Sequence, residues 1–206
     1  MLEATLAYLR QGGWIMVPLV VVSLSMWTLI LERWMALRGL VRGDLDLPAT
    51  LAVVRSDDSS APDGGGLRTE LVRRFLAARS GRARLDREIL AQCDNALDRQ
   101  LESRHETIAV LAAVAPLLGL MGTVLGMIET FDVISVFGTG NARALAGGIS
   151  VALVTTQTGL LVAIPGLIFS GRLRDRAEQL RHTLAETTQM LDRDLSRRGA
   201  IAPGGR

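Results

Sequence analysis

Between Ser150 and Thr158 an otherwise apolar stretch carries five polar side chains, Ser150, Thr155, Thr156, Gln157 and Thr158, followed by Gly159. Hydroxyls and an amide donate and accept hydrogen bonds but hold no charge at neutral pH. They can line a hydrated route or steady a charged group brought by another chain. They cannot carry a proton alone. A second apolar stretch, APLLGLMGTVLGMI, has one hydroxyl, Thr123, among Gly119, Gly122 and Gly126. Other chemistries lack their residues. Cys93 is the sole cysteine, so neither an intrachain disulfide nor a cysteine metal cluster can form. His105 and His182 lie far apart, and no metal site is expected from them. No serine has a neighbouring histidine, and Gly64-Gly65-Gly66 lacks the Lys-Ser/Thr that follows a phosphate loop. Neither catalysis nor a cofactor is expected. All 23 basic residues are arginine, the net charge is only +2, and no basic stretch is interleaved with aromatics. Nucleic acid is therefore not an expected partner.

The elements that position these groups are three uncharged runs, residues 11–31, 107–128 and 144–171. At ~1.5 Å per residue each is long enough to cross the ~30 Å hydrocarbon core of a bilayer. The first is expected to be a retained span, because no small-residue cleavage site follows before Glu32-Arg33-Trp34. None of the runs contains Asp, Glu, His, Lys or Arg, so this chain brings no titratable carrier of its own to membrane depth. Serine and threonine in a helix often satisfy their own i−4 carbonyl. Gln157 has no such inexpensive partner in lipid, so the polar cluster points to a face turned toward protein or a hydrated cavity. Residues 155–158 cover nearly a full turn, so some of them must serve helix contacts. The glycines at three- and four-residue spacing are suited to close helix approach. Pro116 falls near the start of its span, and Pro165 is expected to kink the third.

Arginine placement orients the spans. Residues 32–106 carry thirteen arginines and the tail after Gly171 eight, while the N-terminus and the loop 129–143 have one each. The positive-inside tendency then predicts an all-α polytopic membrane protein with three transmembrane helices, N-out and C-in, with long cytoplasmic helical extensions. Its expected divisions are a periplasmic N-terminus (1–10), span one (11–31), a cytoplasmic region (32–106), span two (107–128), a periplasmic loop (129–143), span three (144–171) and a cytoplasmic tail (172–206). Val41 to Gly66 is expected to be loop, with Gly43, Pro48 and Pro62-Asp63-Gly64 as breakers. Leu90, Cys93, Leu97, Leu101 and Ile108 recur at helical spacing and predict one helix from about Asp86 into the bilayer. In the tail, Leu173, Ala177, Leu180, Leu184, Thr187 and Leu191 form a seam that wants a partner helix. One protomer offers little soluble mass to cover it, which favours oligomerisation.

Two segments, Ala115–Phe131 (APLLGLMGTVLGMIETF) and Gly148–Phe169 (GISVALVTTQTGLLVAIPGLIF), resemble the ExbB/TolQ/MotA family of proton-channel subunits. Three spans favour the short ExbB and TolQ branches, since the MotA branch has four. The resemblance implies a homopentamer in the bacterial inner membrane around a central pore. A single-span ExbD-like or TolR-like partner would place an aspartate in that pore, and the work would pass to a TonB-like transducer. The family's pore threonines fall on Thr123 and Thr156, with Thr155 as a neighbour. A TolQ-like role in envelope integrity and division is the alternative within the family, and a non-conducting membrane scaffold the alternative outside it. Val151 stands where many ExbB members have a glutamate; if that glutamate is a proton relay, this chain does without it or Ser150 and water replace it, and no carboxylate relay from this chain is expected. Glu129 and Asp132, just beyond span two, would make an acidic vestibule or serve as ordinary interface residues.

Overall fold

The computed structural model describes residues 11–55, 64–102 and 105–201, and the expected periplasmic N-terminus (1–10), the breaker at residues 62–63 and the end of the tail (202–206) lie outside them. The described chain is helical. Its helices are α1 (Met16–Val41), α2 (Leu47–Arg55), α3 (Leu67–Ala78), α4 (Ala83–Glu102), α5 (His105–Phe137) and α6 (Ala142–Ile201), with a 3₁₀ turn at Gly138–Gly140. Three helical stretches, based on α1, α5 and α6, are long and apolar enough to cross a membrane. Residues 103 and 104, where the sequence predicts unbroken helix into span two, lie outside the described residues.

The chain divides into two compact units, one of residues 11–32 and 105–172, the other of 33–55, 64–102 and 173–201. In the first, all three apolar stretches meet in one core. Ile15, Met16 and Leu19 pack with Ala115 of α5 and with Val154 and Ala163 of α6. Trp27 meets Phe169 edge-on, with ring centres 5.6 Å apart. Outward-facing residues are large and apolar, among them Val21, Leu24, Leu120, Val124, Leu153 and Leu161. A surface so uniformly apolar suits acyl chains rather than water. Pro116 and Pro165 lie inside helices that continue past them.

The second unit is a bundle of α2, α3, α4, the end of α1 and the second half of α6. Leu90, Leu97 and Leu101 of α4 are buried, as are Leu71, Val72 and Phe75 of α3 and Val54 of α2. The tail seam corrects one expectation: Leu173, Ala177, Leu180, Leu184, Thr187 and Leu191 are all buried within the single chain. Their partners within the chain include α4, which runs antiparallel to α6, and α3, whose Arg68 Nε donates to Thr187 Oγ1 at 3.3 Å. Arg181 Nε donates to Asp98 Oδ1 at 2.6 Å, Thr188 Oγ1 to Asp94 Oδ1 at 2.8 Å and Arg87 Nε to Asp192 Oδ1 at 2.7 Å. The seam therefore supplies no independent argument for oligomerisation.

Helix α2 is a second correction, since its residues fall in the stretch expected to be loop. Asp46 caps it: its carboxylate accepts the Leu47 N–H at 3.0 Å and its carbonyl the Thr50 N–H at 2.9 Å. Pro48 then sits in the first turn, where a missing N–H costs nothing, so it starts a helix rather than breaking one. Two other aspartates fold the connections. Asp44 Oδ1 accepts the Arg68 N–H at the start of α3 (2.8 Å), and buried Asp86 accepts both the N–H (2.8 Å) and the hydroxyl (3.0 Å) of Ser80 between α3 and α4. Arg33 closes the other end of α4. Its buried guanidinium donates to the carbonyls of Gln100 (2.9 Å) and Leu101, placing a cation at the negative end of that helix. Burial raises the Cys93 thiol pKa above its ordinary value, against an opposing pull from Arg74.

Candidate functional site

The seam between α5 and α6 holds the polar groups singled out in the sequence, and its form follows from residue size. Ala112, Ala115, Gly119, Gly122, Gly126 and Thr130 recur every three or four residues along one face of α5, and all are buried. Facing them on α6 are Gly148, Ala152, Thr155, Gly159, Ala163 and Gly166, also buried. The two backbones touch. A β-carbon on Gly119 would stand 3.0 Å from the Thr155 carbonyl oxygen, and one on Gly126 would stand 2.6 Å from that of Gly148. On Gly159 it would meet the Ala115 carbonyl oxygen at 2.8 Å, and on Gly122 it would collide with the Thr155 side chain. A β-carbon on Gly166 would instead meet side chains, those of Met26 and Ala112. Close small-residue approach of this kind gains dispersion contacts that lipid cannot replace.

The hydroxyls divide into two sets. Thr155 is wholly buried over Gly122 and donates back to the carbonyls of Val151 (2.9 Å) and Ala152 (3.1 Å). Thr130, also buried, donates to the Gly126 carbonyl at 2.8 Å. Thr123 and Thr156 are half-buried beside the glycine contacts. Thr123 donates to the Leu120 carbonyl at 2.7 Å. Thr156 lies 3.1 Å from the Ala152 carbonyl and 3.4 Å from that of Gly119 across the seam. Each hydroxyl thus has a backbone acceptor for its proton, leaving its oxygen lone pairs directed elsewhere.

The remaining polar residues of span three do not gather into one cluster. Thr158 is half-buried and bonded to the Val154 carbonyl at 2.7 Å, while Gln157 is exposed. Ser150 Oγ accepts from Gln11 Nε2 at 2.6 Å, joining the start of the first apolar run to span three. Half-buried Val151 lies beside that amide–hydroxyl pair, and half-buried Pro165 immediately precedes Gly166. Glu129 and Asp132 are exposed towards the end of α5. Among the described residues no group of three His, Cys, Asp or Glu side chains converges as a metal site requires.

Sequence inspection alone passed over Gly148, Ala152, Gly166, Thr130 and Gln11. The first four were legible in principle, because they continue the same three- and four-residue spacing as the chosen glycines. Gln11 was not, since a contact across 139 positions leaves no local trace.

Three apolar helices, two of them joined by a backbone-to-backbone seam lined with hydroxyls, define a multi-pass membrane protein. The description of the MotA/TolQ/ExbB proton channel family matches residues 66–186, more than half of the chain, and the chain belongs to that family. It is 35% identical over 170 residues to a biopolymer transport protein described as ExbB-like 1 from Synechocystis sp., covering 77% of this chain and 66% of that one. It is 43% identical over 72 residues to the biopolymer transport protein ExbB of Aquifex aeolicus, covering 35% of this chain and 49% of that one. With the Tol-Pal system protein TolQ of Haemophilus influenzae it shares 35% identity over 88 residues, 41% of this chain and 40% of the relative. The matched stretch thus spans two thirds or less of each of these relatives.

Proposed function

We propose that the chain is the polytopic subunit of a proton-driven motor in a bacterial cytoplasmic membrane, N-out and C-in, with five copies enclosing a pore. A single-span partner of ExbD or TolR kind supplies an aspartate at the depth of Thr123 and Thr156. The observation that carries this proposal is the chemistry of the α5–α6 seam in a member of a proton channel family: hydroxyls at membrane depth and no ionisable group in the apolar runs. The thirteen arginines of residues 32–106 and the eight of the tail support the orientation.

The mechanism follows from what a threonine hydroxyl can do. With its proton on a backbone carbonyl, as at Thr123 and Thr156, the oxygen is an acceptor and favours a protonated carboxyl. Rotated outward, the same hydroxyl donates and favours the carboxylate. A charged aspartate at a helix centre costs ~2.5–3.5 kcal/mol. It therefore rests beside a threonine, takes a proton from the outer side, crosses the apolar wall neutral, and releases the proton inward at the next site. Thr155, committed to Gly122, keeps the seam closed while this happens. The work is delivered to a TonB-like transducer for uptake across the outer membrane.

The likeness to a Tol-Pal protein favours a second reading within the same mechanism, service to envelope integrity and division. Affinity purification from native membranes tests the common core. A single-span protein with one intramembrane aspartate should co-purify, and losing the chain should abolish either energised outer-membrane uptake or envelope integrity, separating the two readings. A transport-competent chain with no acidic companion contradicts both. A non-conducting scaffold predicts that Thr123→Val and Thr156→Val leave function intact.

A further inference from the structure

In the arginine-rich unit most of the charged contacts across helices are closed pairs: Arg55 with Asp194, Arg87 with Asp192, Arg181 with Asp98. Trp34 has a different neighbourhood. The guanidinium of Arg38 lies 5.6 Å from its ring centre and that of Arg176 lies 5.3 Å away, both within cation–π range. Among the described residues neither guanidinium has a carboxylate within ion-pair distance. Two like charges around one indole are stabilised by an anion, and the described residues place none there.

Beside this group runs a groove of 330 Å³ lined by Leu37, Val41, Arg176, Gln179, Leu180 and Thr183. Its floor is apolar, with Leu37 and Leu180 buried, and Val41 is an exposed apolar wall. Arg176, Gln179 and Thr183 supply donors. Trp34 and Arg38 follow the first uncharged run by three and seven residues, and Arg176 follows the third by five. At ~1.5 Å per residue that is roughly 5–10 Å beyond the hydrocarbon, the depth of phospholipid headgroups and of interfacial tryptophan.

We propose that Arg38 and Arg176, beside Trp34, hold the headgroup phosphate of an anionic phospholipid such as phosphatidylglycerol, and that the lipid enters the adjoining groove at Arg176. The lipid's apolar stem lies along Leu37 and Val41. The assignment rests on the reading that α1 and α6 cross a bilayer with this unit on the arginine-rich side. A free phosphate satisfies the guanidiniums but has no use for an apolar floor, and a carboxylate from a second copy would need no stem contact. Guanidinium suits a phosphodiester because its planar fork meets two oxygens at once.

The test uses the full chain reconstituted in nanodiscs of phosphatidylglycerol and phosphatidylcholine, with native mass spectrometry counting the lipid retained after release. Wild type retains phosphatidylglycerol in preference to phosphatidylcholine. Each arginine is worth about fivefold in retention and the pair about thirtyfold, so the combination Arg38→Gln with Arg176→Gln loses the preference. Arg82→Gln with Arg84→Gln, an equal charge change at two exposed positions elsewhere, leaves it in place. Should the double variant fail to accumulate, Trp34→Phe and Arg176→Lys take its place, each keeping the fold and reducing retention severalfold. Equal retention of both lipids, retention unaffected by these variants, capture of inorganic phosphate alone, or a variant that changes only the subunit count of the complex overturns the proposal. Alkaline extraction beforehand separates the two failures. A chain released by it defeats the spanning reading and the lipid site together, whereas a chain that stays embedded and shows no lipid preference defeats the lipid site alone.

Discussion

Where α5 meets α6, main chain approaches main chain: a β-carbon on Gly126 or Gly148 would stand 2.6 Å from a carbonyl oxygen of the facing helix, and one on Gly159 2.8 Å. Where α4 meets the second half of α6, buried leucines fill the interface and guanidiniums close it from outside, with Arg181 and Arg87 on Asp98 and Asp192. One helix, α6, takes part in both. The difference follows from solvent. In water, burying Leu173, Leu180, Leu184 and Leu191 is itself the driving force. In lipid a leucine gains nothing by leaving the acyl chains, so adhesion depends on fit and backbone proximity, and small residues replace large ones. The same segregation keeps ionised groups out of the apolar runs and leaves hydroxyls as the polar groups beside the seam.

Substitutions sharpen that contrast. Leu184→Ala opens a cavity in the bundle and should cost about 2–5 kcal/mol, read as a lowered thermal midpoint of the purified chain. In the membrane-depth unit the opposite change is the damaging one. A β-carbon on Gly148 would stand 2.6 Å from the Gly126 carbonyl oxygen and also collide with the Thr130 hydroxyl, while one on adjacent Gly147 meets nothing within 4 Å. Gly148→Ala is therefore expected to cost about 1–3 kcal/mol in detergent-driven unfolding, and Gly147→Ala to be neutral or slightly stabilising. Equal behaviour of these neighbours would remove the backbone seam from the account.

Smaller effects come from the bundle's charges. Arg181 and Asp98 are each about one third exposed, so Arg181→Ala should cost under about 1 kcal/mol, with the loss fading as salt is added. The hydrogen bond from Arg181 to Asp98 raises the arginine's pKa still further above the physiological range, so the guanidinium stays charged across ordinary pH. The smallest expected effect belongs to Cys93. Burial raises its thiol pKa above the usual 9.0, so the associated stability is complete below pH 9.0 and is lost as pH climbs past the folded value. Midpoints measured across alkaline pH should fall less steeply in Cys93→Ser.

Most of the architecture was legible because it is written in periodicity. The three apolar runs need only length and absence of charge, and Leu90, Leu97 and Leu101 mark the buried face of α4 by spacing alone. Pro48 misled because a proline punctuates in two senses, and only the cap from Asp46 shows that it opens α2. The tail seam misled for another reason: spacing shows that Leu184 and Leu191 need a partner but not whether the chain owns one. Arg33 was legible as a charge after the first span, yet its bonds to the carbonyls of Gln100 and Leu101 depend on tertiary placement. At the seam, the family resemblance already set Thr123 and Thr156 apart from their neighbour Thr155, but gave no physical reason. The fold adds a difference in burial: Thr155 is buried over Gly122, while the other two are half-buried.

That separation makes the central claim testable in one measurement: proton-driven uptake in cells whose only copy of the chain carries Thr123→Val with Thr156→Val, compared with Thr155→Ser. Valine keeps the volume and removes the hydroxyl, so the double variant should accumulate and bind its partner normally while uptake falls about a hundredfold or more, in line with the loss of a polar group acting in the transition state. Thr155→Ser, which keeps a hydroxyl in the closed seam, should stay near wild type. Undiminished uptake by the double-valine chain would contradict the account.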